Sequence, residues 1–354
     1  MEIIIFYIAS ILAFAVGTAA IYMALIERYP VSWLYYHYFI RKPINWVIFM
    51  GLLFWTILIY TGQGQFPYWA IPPIIISAFA ILLTYKMHQE NAFKAVDFPK
   101  PSQDPSKLPI ADDMQVALIE YEGVTKCYPL DYVIHHHIIN DSFGSKTVSL
   151  TYCAMCRSII PFDVTDIGPL FVASFKDANM IIADRKTKSF FQQATFQSII
   201  GKLHPAELTM IPFQILEWSD IKELSPIPET VHVSKKDFKD FELPIPGIWK
   251  KITASESTPG LSSENRDKTF PARTHVIGII DPDIHEDIFF LKKEIKKKGI
   301  HFETKHGFYL ISVSNTVNAF KNPKGHSQLD ISLHKKELID KVSGTHWDLR
   351  GKYI

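Results

Sequence analysis

Two cysteines separated by two residues are the strongest chemical signal in the sequence. Cys153 and Cys156 form a C-x-x-C pair, and the only other cysteine of the chain is Cys127. A bend that brings two sulfur atoms together suits either a disulfide or a shared metal ion. Free cysteines are also often simply packed in a protein core. The pair is therefore compatible with thiol redox chemistry, with metal binding and with a purely structural role.

Thiol redox chemistry requires a cysteine whose pKa is lowered by a nearby cation or a helix N-terminus. Arg157 directly follows Cys156 and could supply that cation, so the candidate catalytic residues are Cys153, Cys156 and Arg157. The residues that follow do not resemble the helix of a thioredoxin-like site. Residues 159–162 instead predict a strand, and Pro161 disfavours a long helix.

Metal binding would require further ligands besides the two thiolates. The histidine triplet His135-His136-His137 precedes the cysteines on a predicted helix. Consecutive residues of a helix point in different directions, so only one or two of the three could face a site. His136 is the preferred third ligand and His137 is the second choice. A thiolate and imidazole ligand set suits zinc, copper or iron.

Two further polar pairs are candidates for supporting roles. Asn140 and Asp141 predict the end of the preceding helix and the start of a turn. Asp184 and Arg185 could orient a ligand through a carboxylate and a guanidinium group, or could fix a turn. The structural role is favoured, because a similar pair begins at Asp340 in a region without paired cysteines.

Several of these residues belong to an ordered series of motifs. The series resembles the prokaryotic family called domain of unknown function 3179, and it comprises Tyr128-Pro129, His136-His137-Ile138-Ile139-Asn140-Asp141, the stretch from Val148 to Cys156, Phe162-Asp163, and Asp184-Arg185-Lys186-Thr187. The resemblance covers roughly residues 109–354. It supports His136 as the histidine of the site, and it implies a fold and a site location rather than a reaction. His137 stands where the family usually has glutamate, and Ala154-Met155 replaces Pro-Leu.

The N-terminal quarter of the chain is almost uncharged. It contains apolar runs at about residues 3–26, 44–61 and 68–85, and about 20 apolar residues suffice for a helix to cross a bilayer. Tryptophan and tyrosine residues lie near the ends of the later runs, as interfacial side chains do. The sequence therefore predicts a multi-pass protein of the cell membrane whose expected partner is the lipid bilayer.

The flanking charges predict an orientation. Arg28, Arg41 and Lys42 lie in the first predicted loop, and the second loop has no basic residue. The positive-inside rule then places the soluble domain in the cytoplasm, with an extracytoplasmic domain as the alternative. Over the whole chain, 37 basic residues balance 36 acidic residues, and this balance argues against a nucleic-acid partner.

The remainder of the sequence predicts an α+β fold in which a strand-rich soluble domain follows the three transmembrane helices. The expected divisions are a transmembrane anchor at 1–86, a linker at 87–108, a first half with the C-x-x-C pair at 109–211, an irregular connection at 212–273 and a second half at 274–354. A strand, a helix, further strands and an aspartate motif recur weakly in that order, which suggests two similar halves.

These features predict a membrane-anchored protein of unestablished activity. Its candidate site comprises the two cysteines and a histidine, and it would serve soft-metal binding or thiol redox chemistry. The alternative is a non-catalytic binding or assembly module whose cysteines are structural.

Overall fold

The chain divides into two compact units, each built from separate stretches of sequence. The computed structural model describes residues 1–241, 258, 261, 264, 268–271, 274–281, 283–286, 288–334 and 336–354. The first unit comprises residues 1–98, 134–210 and 249–266, and the second comprises 99–133, 211–248 and 267–354. The apolar helices and the C-x-x-C pair both belong to the first unit.

Three long apolar helices form the N-terminal part of the first unit. They are α1 (Glu2–Leu25), α2 (Val31–Gln63) and α3 (Ile71–Lys86), and a 3₁₀ turn at Tyr68–Ala70 leads into α3. Helices α1 and α2, and α3 together with the 3₁₀ turn (Tyr68–Lys86), are long and apolar enough to cross a membrane. This confirms the prediction of three apolar helices.

Helices α1 and α3 approach each other closely at Gly17. A Cβ atom at this position would lie 2.7 Å from the carbonyl oxygen of Ala80, so no larger residue fits without movement of the backbone. Small residues allow such close approach between apolar helices, which gain van der Waals contact in return.

Helix α2 begins at Val31, which is 13 residues before the predicted start near residue 44. The expected loop that contained Arg41 and Lys42 is therefore helical, and Pro43 lies inside the helix. The added turns pack against a soluble sheet, where Tyr35 makes an edge-to-face contact with Phe190 at 5.1 Å. Hydropathy alone does not reveal these turns, because protein packing rather than lipid stabilises them.

The described residues of the first unit that follow the apolar helices form two sheets. A short helix α4 (Gln89–Ala92) precedes them. The first sheet has the order β1-β4-β5-β6-β11, with bounds Val96–Asp97, Ile138–Phe143, Lys146–Cys153, Ser158–Asp163 and Thr209–Met210. The second has the order β10-β9-β8-β7, with bounds Ser198–Ile200, Phe190–Gln192, Asn179–Asp184 and Leu170–Lys176. Neighbouring strands are antiparallel except β1 and β4, which are parallel.

The second sheet is buried on both faces, which explains its nearly continuous apolar strands. On one face, Val172 and Ile182 pack against the first sheet. On the other face, Phe171 and Ile181 pack against the end of α1 and the start of α2. The alternation of side chains along each strand thus divides the residues between two cores.

The helix before the cysteines is shorter than predicted. Helix α5 spans Leu130–His136, and strand β4 then begins at Ile138. Asn140 and Asp141 therefore lie within a strand and do not end a helix, so the prediction of a turn there is wrong. The side chain of Asn140 is fully buried and forms hydrogen bonds inside the first unit, and these bonds favour the strand over an exposed turn.

The described residues of the second unit form four further sheets. They are β12-β2-β3-β13 (Phe213–Glu217, Gln115–Tyr121, Val124–Pro129, Glu229–Thr230), β14-β15 (Val276–Ile279, Ile288–Leu291), β16-β17-β18 (Ile300–Glu303, Phe308–Val313, Thr316–Lys321) and β19-β20-β21 (Ile331–His334, Glu337–Asp340, Thr345–Trp347). Its short helices are α6 (Trp218–Glu223), α7 (Lys235–Phe241) and α8 (Lys292–Lys298). The strand-rich soluble region agrees with the predicted α+β class.

The stretch 212–273 was expected to be irregular. Its described part includes β12, which pairs with β2 along its whole length, and the helices α6 and α7. Most of the polar stretch from residue 253 onwards lies outside the described residues.

Candidate functional site

The C-x-x-C pair lies in a β-hairpin. Strand β5 ends at Cys153, strand β6 begins at Ser158, and these two residues are opposite each other in the antiparallel register. The four residues 154–157 form the connecting turn, and Arg157 adopts a left-handed backbone with φ +56°. The pair is therefore held by a strand–turn–strand element, as residues 159–162 predicted, and not at the start of a helix.

The two thiols occupy different environments. Cys153 is 1% exposed and lies in the core between the two sheets of the first unit, together with Ile138 and Phe162. Cys156 is exposed, and both cysteines are free. A reagent in solution thus meets Cys156 first.

Hydrogen bonds converge on the sulfur of Cys156. The Asn179 side-chain nitrogen lies 3.3 Å from it, and the Ser158 hydroxyl oxygen lies 3.1 Å from it. The thiol of Cys153, together with the side chain and backbone of Ser158 and the side chain of Asn179, lowers the pKa of Cys156 to about 6. Its bond to Cys156 and its burial raise the pKa of Cys153 well above the usual range. At neutral pH the exposed sulfur therefore carries the negative charge, and the buried sulfur keeps its proton.

Ser158 joins the site to a buried amide. Its hydroxyl donates to the side-chain oxygen of Gln193 at 2.7 Å, and the nitrogen of that amide donates to Thr151 Oγ1 at 3.0 Å. A serine hydroxyl has a single proton. When Cys156 ionises, Ser158 must turn this proton from Gln193 towards the sulfur to donate to the thiolate.

Sequence reasoning missed Ser158, Asn179 and Gln193. Ser158 follows Cys156 by two residues, and its place opposite Cys153 becomes clear once the hairpin is known. Asn179 and Gln193 come from strand β8 and from the segment after β9, and no spacing in the sequence relates them to the cysteines.

Arg157 lies beside Cys156 in sequence, but hydrogen bonds are the main cause of the lowered pKa of that cysteine. The guanidinium of Arg157 acts on Tyr152. Burial raises the pKa of that tyrosine to about 12, and the positive charge of Arg157 opposes this shift.

The candidate histidines separate in the structure. The Nδ1 atom of His136 lies 3.2 Å from the carbonyl oxygen of Lys94. His137 is 7% exposed and stacks on Phe93, with ring centres 4.2 Å apart. Burial lowers the pKa of His137 to about 4, although the carbonyl groups of His135 and Ile134 act in the opposite direction.

No group of three or more His, Cys, Asp or Glu side chains that could hold a metal ion occurs among the described residues. Metal ligation by Cys153, Cys156 and His136 consequently stays a prediction from the sequence.

A small cavity of about 30 Å³ adjoins the buried cysteine. Its lining includes Cys153 and His137, together with Gln89 from α4, Ser174 from β7 and the apolar side chains of Phe93 and Met180. A volume of this size accommodates one or two water molecules.

The four supporting candidates form structural hydrogen bonds and ion pairs. Asn140 donates to Asp97 at 2.7 Å and to the carbonyl oxygen of Leu170 at 2.9 Å, and Asp141 accepts a bond from the backbone N–H of Ser142. Arg185 pairs with Asp97 at 2.9 Å.

Asp184 accepts bonds from Thr187 Oγ1 at 2.7 Å and from the Ser189 backbone N–H at 2.9 Å. This aspartate therefore fixes the turn after β8, as the favoured interpretation expected.

The fold and the site define a protein with three candidate membrane helices and a strand-rich region that carries two cysteines of unequal exposure in one hairpin. The chain belongs to the family described as "Protein of unknown function (DUF3179)", whose model matches residues 90–354. No curated protein and no solved structure is detectably similar to it.

Proposed function

We propose that this protein is a membrane-tethered thiol–disulfide exchange protein. One observation carries the proposal: an exposed sulfur with a lowered pKa accepts a hydrogen bond from Asn179 and lies within hydrogen-bonding distance of Ser158, while a buried thiol adjoins it in the same hairpin. A reactive thiolate next to a second thiol is the arrangement that disulfide exchange requires.

The reaction would proceed in two steps. The thiolate of Cys156 attacks one sulfur of a substrate disulfide, so a mixed disulfide forms and the first substrate thiolate leaves. Cys153 then loses its proton and attacks the sulfur of Cys156. The Cys153–Cys156 disulfide forms, and the second substrate thiol leaves with a proton. The substrate disulfide is reduced to two thiols, and the protein dithiol is oxidised by the same two electrons.

The three apolar helices would hold this site at a membrane surface. Helices α1 and α2 pack directly on the sheet that carries Asn179, so the anchor and the site belong to one unit. The cytoplasmic location of the soluble domain, predicted from Arg28, Arg41 and Lys42, stays a prediction.

We also infer that the soluble region arose from two similar halves. Helix α5 is followed by nine strands, β4–β12, of which β4–β9 would correspond to the six strands β16–β21 that follow α8. Asp184 and Asp340 end corresponding strands, and each accepts a bond from the hydroxyl of a residue three positions later, Thr187 or Ser343. The second half has no cysteines, so the proposed chemistry belongs to the first.

A redox titration of the full chain in lipid nanodiscs tests the proposal. In a Cys127→Ser background, equilibration with reduced and oxidised glutathione should yield one reversible disulfide per chain. Cys153→Ser should trap a stable mixed disulfide with glutathione at Cys156, and Cys156→Ser should react far more slowly because its remaining thiol is buried.

Cys127→Ser is a suitable background because Cys127 is fully buried next to Thr230. Burial raises its pKa to about 12, although the bond with Thr230 opposes this shift. If Cys153 and Cys156 form no disulfide at any ratio of reduced to oxidised glutathione, the proposal is wrong. In that case, stoichiometric metal that is lost on Cys153→Ser and Cys156→Ser would favour the metal site instead.

A further inference from the structure

The cavity beside Cys153 contains an unusual concentration of polar atoms without partners. Three of its lining side chains are buried, namely Gln89 (4% exposed), His137 (7%) and Ser174 (2%). Among the described residues, Gln89 Oε1, His137 Nδ1 and Ser174 Oγ have no hydrogen-bond partner. A buried polar atom without a partner is energetically unfavourable, so three around one cavity indicate a hydrogen-bonding occupant.

The backbone of His137 supports a specific role for its side chain. This residue follows the last residue of α5 in a left-handed conformation with φ +63°, a position that glycine usually occupies after a helix. A residue with a side chain is less favourable there than glycine. The protein thus places an imidazole next to the cavity at a position where glycine would be more stable.

We propose that this cavity binds water that connects the Cys153 thiol to His137, and that His137 takes the proton that Cys153 releases when the disulfide closes. This inference rests on the proposed thiol–disulfide exchange, and it assigns the second step of that reaction a proton acceptor. Cys153 must lose a proton inside a core, where bulk water does not reach it, so a nearby acceptor is required.

The proton balance is complete with these groups. The proton leaves Cys153 Sγ as that sulfur bonds to Cys156 Sγ, and it passes through water to Nδ1 of His137. The departing substrate thiolate then takes up a proton from solvent. His137 afterwards releases to solvent the proton that it received from Cys153. His137 Nδ1 has no hydrogen-bond partner among the described residues and the side chain lines the cavity, so this atom is available to accept the proton.

The surroundings of the ring agree with this role. Phe93 stacks on one face and carries no charge, and Tyr152 lies edge-on at 6.1 Å. The charged forms of His135 and His136 lower the pKa of His137. Cavity water would solvate the imidazolium and partly relieve the burial that lowers this pKa most.

Stopped-flow reaction with 5,5′-dithiobis(2-nitrobenzoate) separates the two steps. The full chain in nanodiscs, in the Cys127→Ser background, should release one nitrothiobenzoate when Cys156 reacts and a second when Cys153 closes the disulfide. His137→Asn tolerates the left-handed backbone but cannot carry the proton. It should leave the first release unchanged and slow the second about 100-fold, the lower end of what a positioned base contributes.

The pH profile distinguishes proton transfer from a merely structural effect. In His137→Asn the rate of the second release should rise ten-fold per pH unit between pH 6 and 8, since Cys153 must ionise unaided, whereas the unmodified site should show a flatter profile. His137→Gly, which suits the positive φ, should regain the fast second release when imidazole is added.

Matched variants complete the design. Ser174→Ala removes one partner of the proposed water and should slow only the second release, whereas His135→Asn should change neither. An unchanged second rate and pH profile in His137→Asn would overturn the inference while leaving the exchange reaction intact. Release of a single nitrothiobenzoate by the chain that retains both Cys153 and Cys156 would instead overturn the proposed function itself.

Discussion

At the scale of single residues, the lowered pKa of Cys156 depends on a few hydrogen bonds. Ser158 and Asn179 approach the sulfur at 3.1 and 3.3 Å, and neither of these two residues carries a charge. A thiolate stabilised in this way is sensitive to the loss of a single donor.

Ser158→Ala should therefore raise the pKa of Cys156. One hydrogen bond contributes about 1 kcal/mol and one pKa unit corresponds to about 1.4 kcal/mol, so the expected rise is just under one unit. At pH 6 the thiolate fraction should fall from about one half to about one sixth, so alkylation by iodoacetamide should slow about three-fold. The exposed Ser142 on β4 supplies the control Ser142→Ala. An alkylation profile that does not move would show that the Ser158 hydroxyl does not stabilise the thiolate.

Asn140 illustrates a residue whose polar side chain stabilises the fold. Its side-chain oxygen accepts bonds from Ser149 Oγ and from the Leu170 backbone N–H, and its nitrogen donates to Asp97 and to the Leu170 carbonyl. Asn140→Ala would leave several buried groups without partners.

We expect Asn140→Ala to lower the free energy of unfolding by about 3 kcal/mol. Urea unfolding in detergent, followed by tryptophan fluorescence, measures this change, and Ser142→Ala on the same strand serves as its reference. A loss no larger than that of the reference would mean that the Asn140 bonds contribute little to stability.

At the scale of elements, the start of α2 behaves as part of the soluble core. Phe190 is 1% exposed and contacts Tyr35 of α2, while Tyr36 of the same helix is 60% exposed. These two adjacent residues of α2 thus have different surroundings. Tyr35 packs against the sheet, whereas most of the Tyr36 side chain is exposed.

Phe190→Ala should consequently destabilise the first unit by about 3–5 kcal/mol, because it removes a large ring from a close-packed core. Tyr36→Ala, which leaves no cavity, should change stability by less than about 0.5 kcal/mol. Thermal unfolding in nanodiscs compares the two variants. Equal effects would show that α2 and the sheet do not share a core.

At the scale of the whole molecule, the apolar helices cover one face of the β7–β10 sheet. The covered residues include Phe171, Ala173, Ile181, Ala183 and Phe190. A soluble region without residues 1–86 would expose this face, and exposed apolar patches promote association.

The fragment 97–354 should therefore aggregate in the absence of detergent. Size-exclusion chromatography and binding of a hydrophobic dye report the outcome, and the full chain in nanodiscs provides the comparison. The same fragment with Phe171→Lys and Ile181→Lys should be more soluble. A monodisperse native fragment would show that this face does not need the helices.

The sequence alone predicted the three apolar helices, the strand-rich region and the hairpin that holds the candidate site. The apolar runs predicted three long helices, since length and hydropathy are local properties, although packing against the sheet moved the start of α2 to Val31. The C-x-x-C spacing and the strand-like residues after it predicted a strand–turn–strand element, because a hairpin is formed by neighbouring residues. The motif order also indicated the family that matches residues 90–354.

Tertiary structure decided which residues surround the cysteines. Asn179 and Gln193 reach the site only because β8 and the segment after β9 pack over β5 and β6, a contact that local patterns do not encode. The tertiary packing also buried the thiol of Cys153 and left that of Cys156 exposed. It placed His137 rather than His136 beside the cavity. A left-handed residue after α5 turns one histidine inward and leaves its neighbour outside, and sequence periodicity carries no information on that choice.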